Sequence, residues 1–289
     1  MYSYEVSPDQ TIYLIDTPGF DDTDKTDTMI LKEIATWLKF TFEQDVLLNG
    51  IIYIHQITAD RMTGSAKKNV MMFKSLCGPD AMKNVMLVTS MWDQVPVEVA
   101  QNREKELMET EEFWGWMHKR GSIVRRHDNT HHSAEAIVQE MVQRSGKVPV
   151  KLRLQEEMVN KGRSLEETGA GRTLEGEWIA EKTRLQKQLV ELKEQMESAI
   201  RQKDDDAQAT LADQQREYRE RISSLEDQSR QMKEGLEGVS DVLIKKMMED
   251  AMRKMMYNPI GDVLAKSTEK QRLAEAQAQR EKKRKCIVM

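Results

Sequence analysis

Two stretches of this chain, Leu47–His55 (LLNGIIYIH) and Asn84–Thr89 (NVMLVT), are apolar at almost every position. A strand with one wet face alternates apolar and polar residues. A continuous run therefore marks a strand covered on both faces, the setting of a parallel sheet flanked by helices. Helical spacing of apolar residues fills the intervals, over Met29–Leu38, Lys67–Leu76, Val97–Lys119 and Ala134–Arg144. Shorter strand patterns occur at Tyr2–Val6, at Tyr13–Ile15 and at Ser122–Arg126, with a turn at Ser7-Pro8-Asp9. This alternation predicts an α/β domain with a doubly wound, mainly parallel sheet, whose ligand lies at the carboxyl ends of the strands.

The residues at those ends carry the chemistry. Tyr13-Leu14-Ile15 delivers Asp16 to the end of its strand, where an acid can hold Mg²⁺ through water. Three residues on, Gly19 lets a backbone N–H approach a terminal phosphate with no Cβ in the way. The polar segment Asp21–Asp27 follows, as a nucleotide-sensing loop would. At the end of the Asn84–Thr89 strand, Asp93 can accept two hydrogen bonds from the N1–H and N2–H₂ edge of guanine, which adenine cannot offer. It can equally cap a helix beginning near Val95. Met91 or Trp92 offers apolar surface beside such a base, or Trp92 is a rim aromatic. Arg126-His127-Asp128-Asn129 ends the next strand. His127, His131 and His132 lack cysteines or carboxylates at ligand spacing, so no metal cluster is expected there. No G-x-x-x-x-G-K-[ST] occurs in the sequence, so the backbone cradle and lysine for β- and γ-phosphates are not encoded.

The order Asp-Thr-Pro-Gly-Phe-Asp-Asp-Thr from Asp16, Thr-Ser-Met-Trp-Asp from Thr89 and Arg-His-Asp-Asn-Thr from Arg126 resembles fungal G-domain proteins. These are related to the avirulence-induced and immunity-associated (GIMAP-like) GTPases, and more distantly to septin-like P-loop GTPases. The resemblance covers about the first half of the chain. It implies Asp16 as the Mg²⁺-water acid, Gly19 as the γ-phosphate sensor, Asp93 as the guanine acid and Asn129 as a second base contact. The implied cofactors are GTP or GDP with Mg²⁺, given a phosphate loop upstream. The sequence departs from the family pattern in lacking that loop and the switch threonine. The base box keeps only its acid, and Phe20 stands where a water-orienting glutamine is usual. No catalytic residue is assigned.

The second half has a different composition. The chain is 39% hydrophobic and 32% charged overall, but most large apolar residues precede Ser145. Leu185, Leu189, Leu192, Met196 and Ala199 repeat at spacings of four and three, and so do Tyr218, Ile222, Leu225, Ser229, Met232, Leu236, Val239 and Leu243. These are coiled-coil seams joined by a phase break near Lys203-Asp204-Asp205-Asp206, and they predict self-association. Met247, Met248, Met252, Met255 and Met256 form a further apolar patch in a helix ended by Asn258-Pro259. The last residues, Cys286-Ile287-Val288-Met289, match a C-a-a-X prenylation signal of the farnesyl type, and Lys282–Lys285 supply the basic second signal for an anionic leaflet.

The expected architecture is an α/β, partial doubly wound P-loop GTPase-like domain over 1–145, lacking its first strand and phosphate loop. A connection over 146–176, a coiled coil over 177–245 and a helical basic tail over 246–289 follow. The expected function is that of a GTP-binding, membrane-tethered, nucleotide-gated assembly switch, peripheral on a cytoplasmic membrane face. The alternative is a non-catalytic coiled-coil scaffold whose G domain no longer binds nucleotide. A net charge of −5 gives no support for a nucleic-acid partner, and two cysteines, Cys77 and Cys286, argue for a reducing compartment.

Overall fold

The computed structural model describes residues 2–7, 10–20, 25–59, 64–145, 149–202, 204–236 and 286–288. The methionine patch at 247–256, Asn258-Pro259 and the basic run Lys282–Lys285 lie outside them. Tyr2–Ser7 (β1) and Gln10–Leu14 (β2) pair as an antiparallel hairpin. Asp27–Glu43 (α1) starts at Thr26, whose hydroxyl accepts from the Met29 N–H at 3.3 Å. Ile51–Gln56 (β3), Val85–Ser90 (β4) and Ile123–Arg126 (β5) then form a parallel sheet in the order β3-β4-β5. Gly64–Cys77 (α2) crosses from β3 to β4. Val97–Glu109 (α3) and the short α4 (Trp116–His118) cross from β4 to β5, and His131–Ser145 (α5) follows.

Alternation along the strands feeds two apolar clusters. Val85 and Leu87 of β4, with Tyr13 of β2 and Ile51 of β3, enter a large cluster built with α1, α2 and α3. Met86 and Val88 of β4, with Ile12 of β2, enter a smaller one built on Ile137, Val138 and Met141 of α5. Both faces are covered at the central strand β4, which is the physical reason its sequence is continuously apolar; β3, expected to be covered likewise, buries only its start, and its Ile54 is 65% exposed. The hairpin belongs to a sheet separate from β3-β4-β5, and β2 meets the parallel sheet through the two apolar clusters it shares with β4.

The expected helix over Val97–Lys119 is interrupted. It stops at Glu109, and a π turn over Glu111–Gly115 carries Phe113 outside the helical region (φ −88°, ψ −113°). The break turns Phe113, Trp114 and Met117 into the large cluster. Their burial outweighs the continuity of the helix.

Of the stretch expected as a connection, 146–176, the part from Val150 on is built into the core. Val150 N–H donates to the Leu48 carbonyl at 2.7 Å. Arg153–Gln155 (α6) brings in Gln155, whose amide donates to the Leu38 carbonyl at 3.2 Å while its oxygen accepts from Leu152 N–H at 3.0 Å. Leu152, Leu154, Met158 and Leu165 all join the large cluster. Glu157, 2% exposed, accepts from Gly169 N–H at 2.7 Å, from Arg153 at 3.1 Å and from Arg163 at 2.8 Å. Gly169–Gln202 (α7) follows, and its Ala170, Leu174 and Trp178 are core residues. The many charged neighbours in 150–168 conceal these apolar positions in the sequence.

The phase break is a chain reversal. Asp204 accepts from the Ala207 N–H at 2.9 Å, and with Asp205 and Asp206 in the first turn it starts a new helix, Asp205–Lys233 (α8). The ion pairs Lys182–Glu226, at 2.6 Å, and Glu181–Arg221, at 3.3 Å, tie α8 antiparallel to α7. The α7 seam residues Leu185, Leu192 and Ala199 are buried in one chain. Finally Cys286–Val288 (β6) pairs in parallel with β2, on the edge that β1 leaves open.

Candidate functional site

The parallel register places the carboxyl ends of the strands side by side, with Gln56 opposite Ser90 and Thr89 opposite Arg126. Beyond β4 the chain turns sharply through Met91, whose φ of 62° is left-handed, into a 3₁₀ turn over Trp92–Gln94. Trp92 Nε1 donates to the buried Thr89 hydroxyl at 3.0 Å, and Thr89 donates in turn to Glu104 Oε1 at 3.1 Å. Glu104 on α3 is 8% exposed and takes a forked hydrogen-bonded pair from Arg126, Nε lying 3.0 Å from Oε2. The Arg126 guanidinium stacks over the Trp92 ring at 4.0 Å. Arg126 is half exposed, so only the Glu104 carboxylate is withdrawn from water, and its charge is met by hydrogen bonds from Arg126 and Thr89. The result is a rigid corner at the end of β4.

Asp93 stands on that corner. It is exposed, and it does not cap α3, whose N-cap is Pro96 without a side-chain bond. The capping role that its position suggests is therefore excluded. One face of Trp92 lies under Arg126, so the tryptophan is a pinned rim aromatic.

The next loop is tied to the same place. His127 N–H donates to the Thr89 carbonyl at 2.8 Å, and the His127 ring meets the Ser133 hydroxyl at 2.7 Å. Asp128 accepts from the Thr130 N–H at 3.1 Å and from its hydroxyl at 2.6 Å. Hydrogen bonding to Ser133 first, and then these bonds from Thr130, draw its carboxyl down to about 2. Asn129 sits at the crest of this loop, exposed and left-handed at φ 67°, a conformation Asn adopts more readily than most residues. Arg103 of α3 fastens the exit of β3 by donating to the Ile57 and Thr58 carbonyls at 3.0 and 2.9 Å.

The phosphate-side residues are differently placed. Asp16 and Gly19 follow β2 in an exposed segment, and a Cβ built on Gly19 would meet nothing within 4 Å. The contacts that build the Trp92 corner include neither residue. Among the described residues no group of three or more His, Cys, Asp or Glu converges as a metal site. A Mg²⁺-bound triphosphate needs a cradle of backbone N–H groups, a lysine and a hydroxyl ligand. One exposed carboxylate, Asp16, does not fit that group.

Two residues of the corner stand out little in the sequence: Arg126 opens a polar loop motif, and Glu104 is one acid among many. The signal for Glu104 was its phase: Ala100, Glu104 and Leu107 share the buried face of α3, and an acid in an apolar phase implies a fixed partner. Comparison with protein-family models, with curated proteins and with solved structures finds no match for this chain.

Proposed function

We propose that this chain is a membrane-tethered, G-domain-like protein that recognises the guanine base without hydrolysing GTP, and that nucleotide occupancy gates its assembly. The observation that supports the reading is Asp93: an exposed carboxylate at the carboxyl end of a buried parallel strand, released from any capping role and set on a pinned corner. The base would lie with its N1–H and N2–H₂ edge on Asp93 and Asn129 at its flank. Asp16 and Gly19 would face the phosphates without enclosing them. The tether is farnesylated Cys286 backed by Lys282–Lys285; among the described residues no helix is long and apolar enough to cross a membrane.

A second reading has its own support. Arg126 already covers one face of Trp92 and is committed to Glu104, which suits a scaffold that has given up its ligand. Calorimetry and saturation-transfer NMR with GDP and GTP separate the two. The expected result is weak, Mg²⁺-independent binding of both nucleotides, with Asp93→Asn shifting preference from guanine toward xanthine. Sub-micromolar, Mg²⁺-dependent affinity would overturn the account of the phosphate side. Absence of binding at millimolar nucleotide leaves the scaffold.

A further inference from the structure

Three of the four residues that match the prenylation signal, Cys286–Val288, also supply a strand of the fold. Cys286, Ile287 and Val288 pair in parallel with Ile12, Tyr13 and Leu14, in the order β1-β2-β6. Ile12 and Tyr13 point to opposite faces of the layer, one into each apolar cluster, so β6 joins a strand that is fixed on both sides. An extended segment added to such an edge gains main-chain hydrogen bonds without requiring a prior pocket. Its three residues make a short ladder, and short ladders open readily.

Prenyl transfer requires the opposite state of the same residues. In that reaction the Cys286 sulfur attacks the first carbon of an allylic isoprenoid diphosphate. A C–S bond forms, the C–O bond to diphosphate breaks, diphosphate leaves with the electron pair, and the thiol proton passes to solvent. The transferase must hold the last four residues in its own cleft, and it cannot do so while they are laddered to β2. We infer that the edge of β2 is the receptor for this chain's own C-terminal Cys286–Val288, and that strand docking and lipid attachment are mutually exclusive states of one tail. The inference rests on the proposed farnesylation for its second state and on the described pairing for its first.

Each state has its own measurement. In the full chain carrying Cys77→Ala, Ile12→Cys places a thiol in register with Cys286, and oxidation with diamide should give an intramolecular disulfide seen by peptide mass mapping. Ser3→Cys on β1, at the far side of the hairpin, should give at least tenfold less. Should Ile12→Cys fail to fold, Leu14→Cys with Val288→Cys, in a Cys77→Ala, Cys286→Ser chain, tests the same register one layer along. Equal cross-linking at Ser3→Cys, or none at either register pair in folded protein, overturns docking. Separately, purified farnesyltransferase with farnesyl diphosphate is given the full chain and a peptide of its last ten residues. Modification of the full chain should run at least tenfold slower than that of the peptide. Equal rates overturn the exclusion even if the cross-link forms. A peptide that is not modified overturns the lipid reading alone, while the cross-link still decides docking.

Discussion

At the scale of single residues, two acids near one another in the fold serve opposite ends. Glu104 is buried and consumed by Thr89 and Arg126; its work is to hold Trp92 and hence the turn that presents Asp93. Asp128 is exposed, yet its hydrogen bonds to Thr130 and Ser133 favour the charged form and shape the loop that lifts Asn129. Because its folded pKa lies below the ordinary carboxylate value of about 4, Asp128 contributes stability that is complete above that value and is lost as pH falls through about 2. Comparing urea midpoints of the parent chain and Asp128→Asn across pH should therefore show a constant gap above pH ~5 that closes between ~4 and ~2. A gap that does not change with pH would mean the loop bonds contribute nothing through ionisation. Cys77 shows the inert extreme: it is fully enclosed, burial pushes its thiol pKa up, and it is a packing residue.

At the scale of elements, α7 shows how one helix serves two neighbours. Its first turn meets the 165–166 backbone so closely that a Cβ on Gly171 would lie 2.9 Å from Glu166 Cα and 3.0 Å from its carbonyl oxygen. Thr168 caps the same turn, its hydroxyl accepting from Gly171 N–H at 3.0 Å. Farther on, Gly176 has nothing within 4 Å of a built Cβ. The two glycines should thus respond with opposite sign. Gly171→Ala forces backbone apart and should cost about 2 kcal/mol. Gly176→Ala, in an exposed helical position, should stabilise by roughly 0.5–1 kcal/mol through helix propensity. Chemical denaturation of both variants checks the pair, and a stable Gly171→Ala protein would contradict the packed start of α7. In its middle α7 lies on α8, so the seam Leu185, Leu192 and Ala199 already has a partner within the chain. Self-association through that seam would require the hairpin to open.

At the scale of the whole molecule, the large cluster runs from Tyr13 through α1, α2 and α3 to Leu152, Leu174, Trp178 and Met232. The α/β layer and the helices after residue 149 thus share one core. Cutting the chain at residue 145 removes Val150, Leu152, Leu154, Met158, Leu165, Leu174 and Trp178 from it and uncovers the faces they bury. With each large apolar side chain contributing roughly 1.5–3 kcal/mol on burial, the loss over these seven, about 10–20 kcal/mol, is as large as the 5–15 kcal/mol that typically holds a domain together. Residues 1–145 should show no cooperative thermal transition by circular dichroism, whereas 1–236 should unfold in one. A cooperative transition in the shorter fragment would restore the division of the chain at residue 145.

Local pattern alone located most of the α/β half. Continuous apolar runs announced β3 and β4, helical spacing announced α1, α2 and α5, and the acid ending one of those runs led to Asp93. Each of these features is written in neighbours along the chain. The interruption of the 97–119 helix, the core role of 150–178, the Glu104–Arg126 pair and the reversal at Asp204 into an antiparallel α7–α8 hairpin were decided by contacts between distant residues. At 97–119 burial outweighed a local periodicity that pointed elsewhere; in the other cases the sequence carried no record of which distant residue would be the partner. The tail is the sharpest instance. Cys286-Ile287-Val288-Met289 reads as a lipid signal by its order of residues, and only the fold brings its first three residues alongside Ile12–Leu14, because the edge of β2 that receives them is the one the β1–β2 hairpin leaves unpaired.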